Sequence, residues 1–180
     1  TEHVAAFTES LPASLVLASA WDMTRDAELP GRQFVDLVLG ALPTVTDSTL
    51  LRTLLQQLST TVLTYSDPAS RDDLRARVRD ALEALARTAE PGNDAQLQLV
   101  GAWAGLLEPG DETALAAGLL DGSAQLPGLV VDTDMRWRLL AALAAAGAAD
   151  EDRIAQEADG DRTATGQEWA ALCRAARPTA

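Results

Sequence analysis

Arg136, Trp137 and Arg138 stand together near the front of one helical stretch, Val130–Gly147. A guanidinium presents a rigid fork of donors that grips a carboxylate through two bonds, and an indole brings a broad apolar wall with one N–H. Both arginines fall in the first turn or just past it, where the positive end of the helix dipole disfavours cations. Asp132 lies four residues before Arg136 and Asp134 four before Arg138, spacings that favour ion pairs along one helix face. Local pairing and an outward binding role both fit this pattern. Arg25, with Asp22 and Asp26 beside it, carries the same two readings.

Other chemistry is scarce. His3 is the single histidine and Cys173 the single cysteine. A zinc site draws on two or three such ligands plus acids, so no zinc or other metal site is expected within this chain. A Ser-His-Asp or Cys-His arrangement would have to recruit His3. No P-loop or GxGxxG occurs, and Gly105, Gly110 and Gly118 lack the spacing that cradles phosphate. Acid pairs such as Asp22 with Asp26, Asp72 with Asp73, and Asp159 with Asp161 read as capping and solvation, with Asp150 and Asp161 standing where helices begin. The run EADGDRTATGQE has an acid–Gly–acid core without the ligand periodicity of an EF-hand. No catalytic residue is assigned, and no cofactor is expected.

The elements that must position these side chains are helical throughout, with no sustained strand alternation. EHVAAFTES is a short first segment. LPASLVLASAWDMTRDAE follows, with Leu15, Ala18, Trp21 or Asp22, and Arg25 at helical spacing. PGRQFVDLVLGALP places Phe34, Leu37, Val38 and Ala41 on one face. The clearest stripe runs through Leu51, Leu54, Leu55, Leu58, Val62 and Tyr65. DDLRARVRDALEALAR aligns Leu74, Val78, Leu82 and Leu85, with Asp73–Arg77, Arg79–Glu83 and Glu83–Arg87 pairs on its solvated side. The last helix is expected to bury Trp169, Leu172, Cys173 and Ala176, and Trp21, Trp103 and Trp137 to join the core. Counting stretches gives about nine or ten helices joined by short turns. Thr46–Ser66 and Pro68–Ala89 together span roughly one HEAT-type repeat. The predicted fold is all-α, a HEAT/armadillo-like α-solenoid of stacked antiparallel helix pairs, with a closed bundle as the second choice.

Totals narrow the function classes. The 180 residues carry a net charge of −13, and all fourteen cations are arginine. Such a chain is repelled by phosphate backbones and anionic lipid, so no nucleic acid or membrane partner is expected. No apolar run reaches the roughly 20 residues of a membrane span. One cysteine suits a reducing compartment, and a cytoplasmic location is expected. The chain begins at Thr1, not methionine, and is expected to be a piece excised from something longer.

Three stretches carry a likeness: AWDMTRDAEL (Ala20–Leu29), VDTDMRWRLLAALAAAGAADEDRIAQE (Val131–Glu157) and DRTATGQEWAALCRAARPTA (Asp161–Ala180). In these the chain resembles the C-terminal helical domain of the aminopeptidase N family of high-GC bacteria, itself similar to the corresponding domain of ER-type and puromycin-sensitive aminopeptidases. The resemblance implies that residues 1–180 form a non-catalytic cap on a zinc metallopeptidase whose HExxH…E and GxMEN motifs lie in an earlier domain. Neither motif occurs here. The cap would lean over the catalytic domain of the same chain, enclose a chamber and gate or bind peptide substrates. It also implies an arginine that reaches into the chamber to hold a substrate carboxylate, a role open to Arg136 and Arg138 with Trp137 walling the pocket, and to Arg25. A free-standing α-solenoid scaffold is the rival reading. A helical transcription regulator would need a basic helix-turn-helix that the acidic first forty residues do not offer.

Overall fold

Helices account for the fold in the computed structural model, which describes residues 10–178. His3 and the segment EHVAAFTES lie outside the described residues, except for Ser10 onward. The chain divides into two compact units, residues 1–89 and residues 90–180. No strand occurs among the described residues, so the all-α expectation holds.

In the first unit, α1 (Ser10–Arg25) buries Leu17, Ala20 and Thr24. The predicted stripe was set off by one position: Leu15 is 61% exposed and Ala18 is exposed too. The inward threonine is tolerated because its hydroxyl donates to the Ala20 carbonyl at 2.8 Å, leaving no orphan polar group inside. The helix ends with Ala27 in the left-handed region, φ 60°, while the Met23 carbonyl accepts from the Glu28 and Leu29 amides at 2.8 and 3.0 Å. Next, α2 (Gly31–Ala41) turns Phe34, Val35, Val38 and Ala41 inward, with Leu37 only half-buried.

Asp47 caps α3 (Ser48–Thr60) by accepting from the Leu50 amide at 2.7 Å. Leu51, Leu54, Leu55, Leu58 and Val62 are buried as their spacing predicts. Tyr65 is not. Residues Thr61–Tyr65 wind as a π turn, whose wider pitch carries Tyr65 off the stripe and leaves it 40% exposed. A short 3-10 turn at Pro68 then leads into α4 (Arg71–Thr88), where Leu74, Val78, Leu82 and Ala86 are buried and Leu85 is half-buried. This helix packs on α2 and on the π turn. The Glu83–Arg87 pair forms at 2.8 Å, whereas Arg77 reaches Asp36 on α2 at 2.5 Å in place of Asp73.

The second unit is built around α7 (Thr133–Ala145), which packs on α5 (Asp94–Ala104), α6 (Ala114–Asp121) and α9 (Ala164–Ala176); α8 (Glu151–Gly160) packs on α9. Trp103, Trp137, Leu139, Leu140 and Ile154 are the heart of its core. In α9 the buried positions are Gly166, Ala170 and Cys173, while Leu172, predicted inside, is 51% exposed and Trp169 and Ala176 are half-buried. Close approach decides this register. A Cβ on Gly166 would run into the Asp161 carbonyl, so the small residues take the crowded side and leucine the open one. Contacts between next-but-one helices (α2 with α4, α5 with α7, α7 with α9) recur in both units, as they do where helices stack.

Candidate functional site

The front of α7 is fixed from four directions. Asp132 is its N-cap, accepting from the Met135 amide at 2.9 Å. That bond removes the aspartate from the local ion pair its spacing suggests. Arg136 turns instead to Glu157 near the end of α8, and its Nε and one terminal nitrogen donate to the two carboxylate oxygens at 2.6 Å each. The remaining terminal nitrogen donates to the Leu120 carbonyl, on the last turn of α6, at 2.9 Å. Glu157 is only 13% exposed at its side chain, against 39% for Arg136. Hydrogen bonding to Glu157 holds the Arg136 guanidinium above its ordinary range, burial opposing the effect and the charge of Glu157 adding to it.

Trp137 points the other way, into the core, at 1% exposure. Its indole N–H donates to Asp161 Oδ2 at 2.8 Å, and the Thr163 hydroxyl donates to Oδ1 at 2.7 Å. These bonds, the Thr163 one first, hold the Asp161 carboxyl below the ordinary carboxylate range. Thr163, not Asp161, is the cap of α9. Arg138 is exposed. Among the described residues it makes no ion pair, Asp134 included, and its side chain lies along Gly101 of α5, 3.5 Å from where a Cβ would sit. At the other end Gly147, φ 74°, stops the helix, with Ala148 donating to Leu143 at 2.7 Å.

Two clefts of about 460 and 580 Å³ flank the Arg136–Glu157 pair. Both are lined by Leu120, Asp121 and Arg136. The smaller is mostly aliphatic, with Leu126, Leu129 and Val131; the larger adds Arg153, Glu157 and Asp161. Hydrogen bonds from Ser123, side chain before backbone, keep the Asp121 carboxyl below the ordinary carboxylate range, and this acid shares the lining of both clefts with the Arg136 cation. The loop that walls the smaller cleft is pinned by Gln96, which is 1% exposed: its amide donates to the Pro127 carbonyl at 3.1 Å and accepts from the Gly92 amide at 3.0 Å. Gly128, φ 76°, lies so close to the Pro91–Gly92 peptide that any Cβ would overlap it.

Over residues 2–180 the chain matches the model of the ERAP1-like C-terminal domain. The chain belongs to that family. It is similar to Aminopeptidase N of Streptomyces lividans, with 42% identity over 179 residues, 99% of this chain and 21% of the relative. It therefore spans about a fifth of that relative's length. Within this family member, the stretches Ala20–Leu29 and Val131–Glu157 are where the local geometry is most particular: the left-handed Ala27 and the clasped front of α7.

Of the four sequence-predicted site residues, Arg136 is clasped by Glu157 and the Leu120 carbonyl, while Trp137 is a core residue whose indole nitrogen is turned to Asp161. Arg138 stays open on the surface. Arg25, in the first unit, is exposed and stands 3.6 Å from Asp22. Glu157, Asp161 and Gln96 were not singled out as partners, because their mates lie 21, 24 and 31 residues away and no periodic spacing marks such pairs.

Proposed function

We propose that this chain is the non-catalytic C-terminal cap of a zinc-dependent aminopeptidase, residues 1–180 acting as one domain that encloses the active-site chamber of the parent chain and admits or holds peptide substrates. The observation that carries the reading is the family match across nearly every residue, together with 42% identity to Aminopeptidase N over one fifth of its length. Zinc does not fit the residues present here. Among the described residues no group of three or more histidine, cysteine, aspartate or glutamate side chains is placed to hold a metal ion, and burial pushes the Cys173 thiol up to about 11. The metal and the bond-breaking groups are assigned to the upstream part of the parent.

Within this reading the substrate-facing cation is Arg138. Its guanidinium is exposed and uncommitted, whereas Arg136 is held by Glu157 and positions the helix that carries its neighbour. Trp137 anchors the same turn from within, and Arg25 with Asp22 is a second, weaker candidate. No helix among the described residues is long and apolar enough to cross a membrane. The single cysteine suits a reducing compartment, and in this reading the cap works beside its catalytic domain in the cytoplasm.

The test uses the full parent enzyme. Arg138→Ala raises KM for short peptides about tenfold, the worth of one charge-assisted contact. Turnover of a single aminoacyl amide, too short to reach the cap, stays unchanged. An unaltered kcat/KM across peptide lengths removes Arg138 from the substrate path. The isolated 180-residue chain shows no amide hydrolysis; turnover by it overturns the cap reading altogether.

A further inference from the structure

The two clefts beside Arg136 have no part in the cap reading, and both lie within the second unit. The larger, about 580 Å³, is lined by Asp121, Arg136, Arg153, Glu157 and Asp161 among others. Most of these charges are already spent. Both oxygens of Glu157 are taken by Arg136, whose third nitrogen goes to the Leu120 carbonyl. Asp161 accepts from the Trp137 indole on one oxygen and from the Thr163 hydroxyl on the other. Two charges remain. Arg153 on α8 is half-buried, and its side chain closes no hydrogen bond or ion pair among the described residues. Asp121, the last residue of α6, is exposed, and its Oδ1 accepts from the Ser123 amide at 2.9 Å. A carboxylate has about four acceptor positions, so a further donor can be taken up there. After the Ser123 bonds, the charge of Arg153 also draws the Asp121 carboxyl down, yet no ion pair joins the two among the described residues.

An open pair of opposite charges selects a ligand that carries both. A simple anion entering this cleft meets Asp121, Glu157 and Asp161, and a simple cation meets two guanidiniums. A zwitterion answers each charge with its opposite, its ammonium at Asp121 and its carboxylate at the fork of Arg153. In a peptide those two charges stand a chain's length apart; in a free α-amino acid they share one carbon. The smaller cleft, about 460 Å³, specifies the rest of the molecule. Leu119, Leu126, Leu129 and Val131 line it, and it shares Leu120, Asp121 and Arg136 with its neighbour. A head group held at Asp121 therefore stands at the mouth of an aliphatic hollow, where an uncharged side chain leaves water. Gln96 fixes the wall of that hollow through the Pro127 carbonyl at 3.1 Å, so binding has little more of the chain to order.

We propose that these adjoining clefts bind a free α-amino acid with an aliphatic side chain, of the leucine class. Asp121 and Arg153 grip its two charges, and the aliphatic wall takes its side chain. The site is separate from Arg138, and its binding chemistry does not depend on the role of the cap. Its meaning as a regulatory site does rest on the cap reading: free amino acids are what removal of N-terminal residues releases, so the cleft reads the product of its own enzyme.

The full parent enzyme is exchanged into deuterium with and without L-leucine, and its peptides are followed by mass spectrometry. With about 10 mM L-leucine, amides of residues 119–131 and 150–157 exchange at least about threefold more slowly, as when free ligand exceeds a millimolar Kd severalfold. Helix α3, in the other unit, is unaffected, and any change upstream reports the catalytic centre separately. Isocaproate, which lacks the ammonium, and isoamylamine, which lacks the carboxylate, give no protection at these peptides. Arg153→Gln and Asp121→Asn each abolish the leucine effect while exchange without ligand stays as in the wild type. Where a substitution alters that basal exchange, the analogue series on the wild type decides. Absence of protection in the wild type overturns the proposal, as does protection that either analogue reproduces or that survives both substitutions. Equal protection by glycine overturns the aliphatic half of the site. A wild-type parent without aminopeptidase activity refutes the cap reading, while the leucine protection still scores the cleft.

Discussion

The two units reach stability by different means. Residues 10–89 are held by apolar stripes, with inter-helix polar ties such as Asp36–Arg77 lying at the surface, about half exposed on both sides. Residues 90–178 combine a similar core with side-chain bonds that cross between elements and run inward: Arg136 to Glu157 and Leu120, Trp137 to Asp161, Gln96 to Pro127. Periodic apolar faces suffice to bring helices together. Directional bonds are needed where one helix end, a glycine-rich loop and a helix junction must keep one geometry, because burial by itself has no direction. The two clefts beside Arg136 lie in the unit that holds these bonds.

Breaking the second unit at its centre gives the largest effect. Trp137→Ala costs about 3–5 kcal/mol through lost burial and an empty space in the core, and near-UV circular dichroism with urea titration reads it. Trp137→Phe keeps most of the ring and loses the bond to Asp161, about 1–2 kcal/mol. Were the two variants equal, the bond and not the packing would dominate. The contrast between the units sharpens at their ion pairs. Arg136→Ala leaves a mostly buried Glu157 without its cation and costs about 1–3 kcal/mol, while Arg77→Ala costs at most about 0.5 kcal/mol, as exposed pairs do. Comparable losses would erase the distinction between the two units.

Smaller still is a gain in the first unit. Ala27→Gly relieves a left-handed alanine and raises the unfolding free energy by about 0.5–1 kcal/mol, seen as a higher denaturation midpoint. The subtlest difference is in pH. The Cys173 thiol of the second unit ionises near 9.0 when unfolded and about 11 when native, so the native state loses stability as pH rises from 9 towards 11. Cys173→Ala flattens that slope. At the acid end Asp161, held below its ordinary range by Thr163 and Trp137, supplies stability that fades as pH falls below about 4, and Asp161→Asn removes that dependence.

Much of this was legible in residue order. The stripe of α3, most of those of α2 and α4 and the cap at Asp150 are local properties, and local spacing reveals them. The resemblance placed the chain in its family. Legibility failed where residue size or a changed helical pitch mattered more than polarity. In α9 glycine and alanine take the inside because α9 passes close to Asp161, and apolar content could not tell Leu172 from Ala170. Tyr65 was misplaced because a π turn breaks the three-and-four rhythm on which the reading rests. Arg136 was given Asp132 as one partner because the i, i+4 rule sees only one helix, while the residue that holds it belongs to another.

The Arg136 bond to the Leu120 carbonyl has a thermodynamic corollary. Helix α6 has eight residues, barely two turns, and a peptide of that size does not stay coiled on its own in water. Its negative pole is neutralised by a cation rooted on the next helix, α7. Melting the start of α7 therefore melts α6, and the amides of both exchange with deuterium as a single cooperative block.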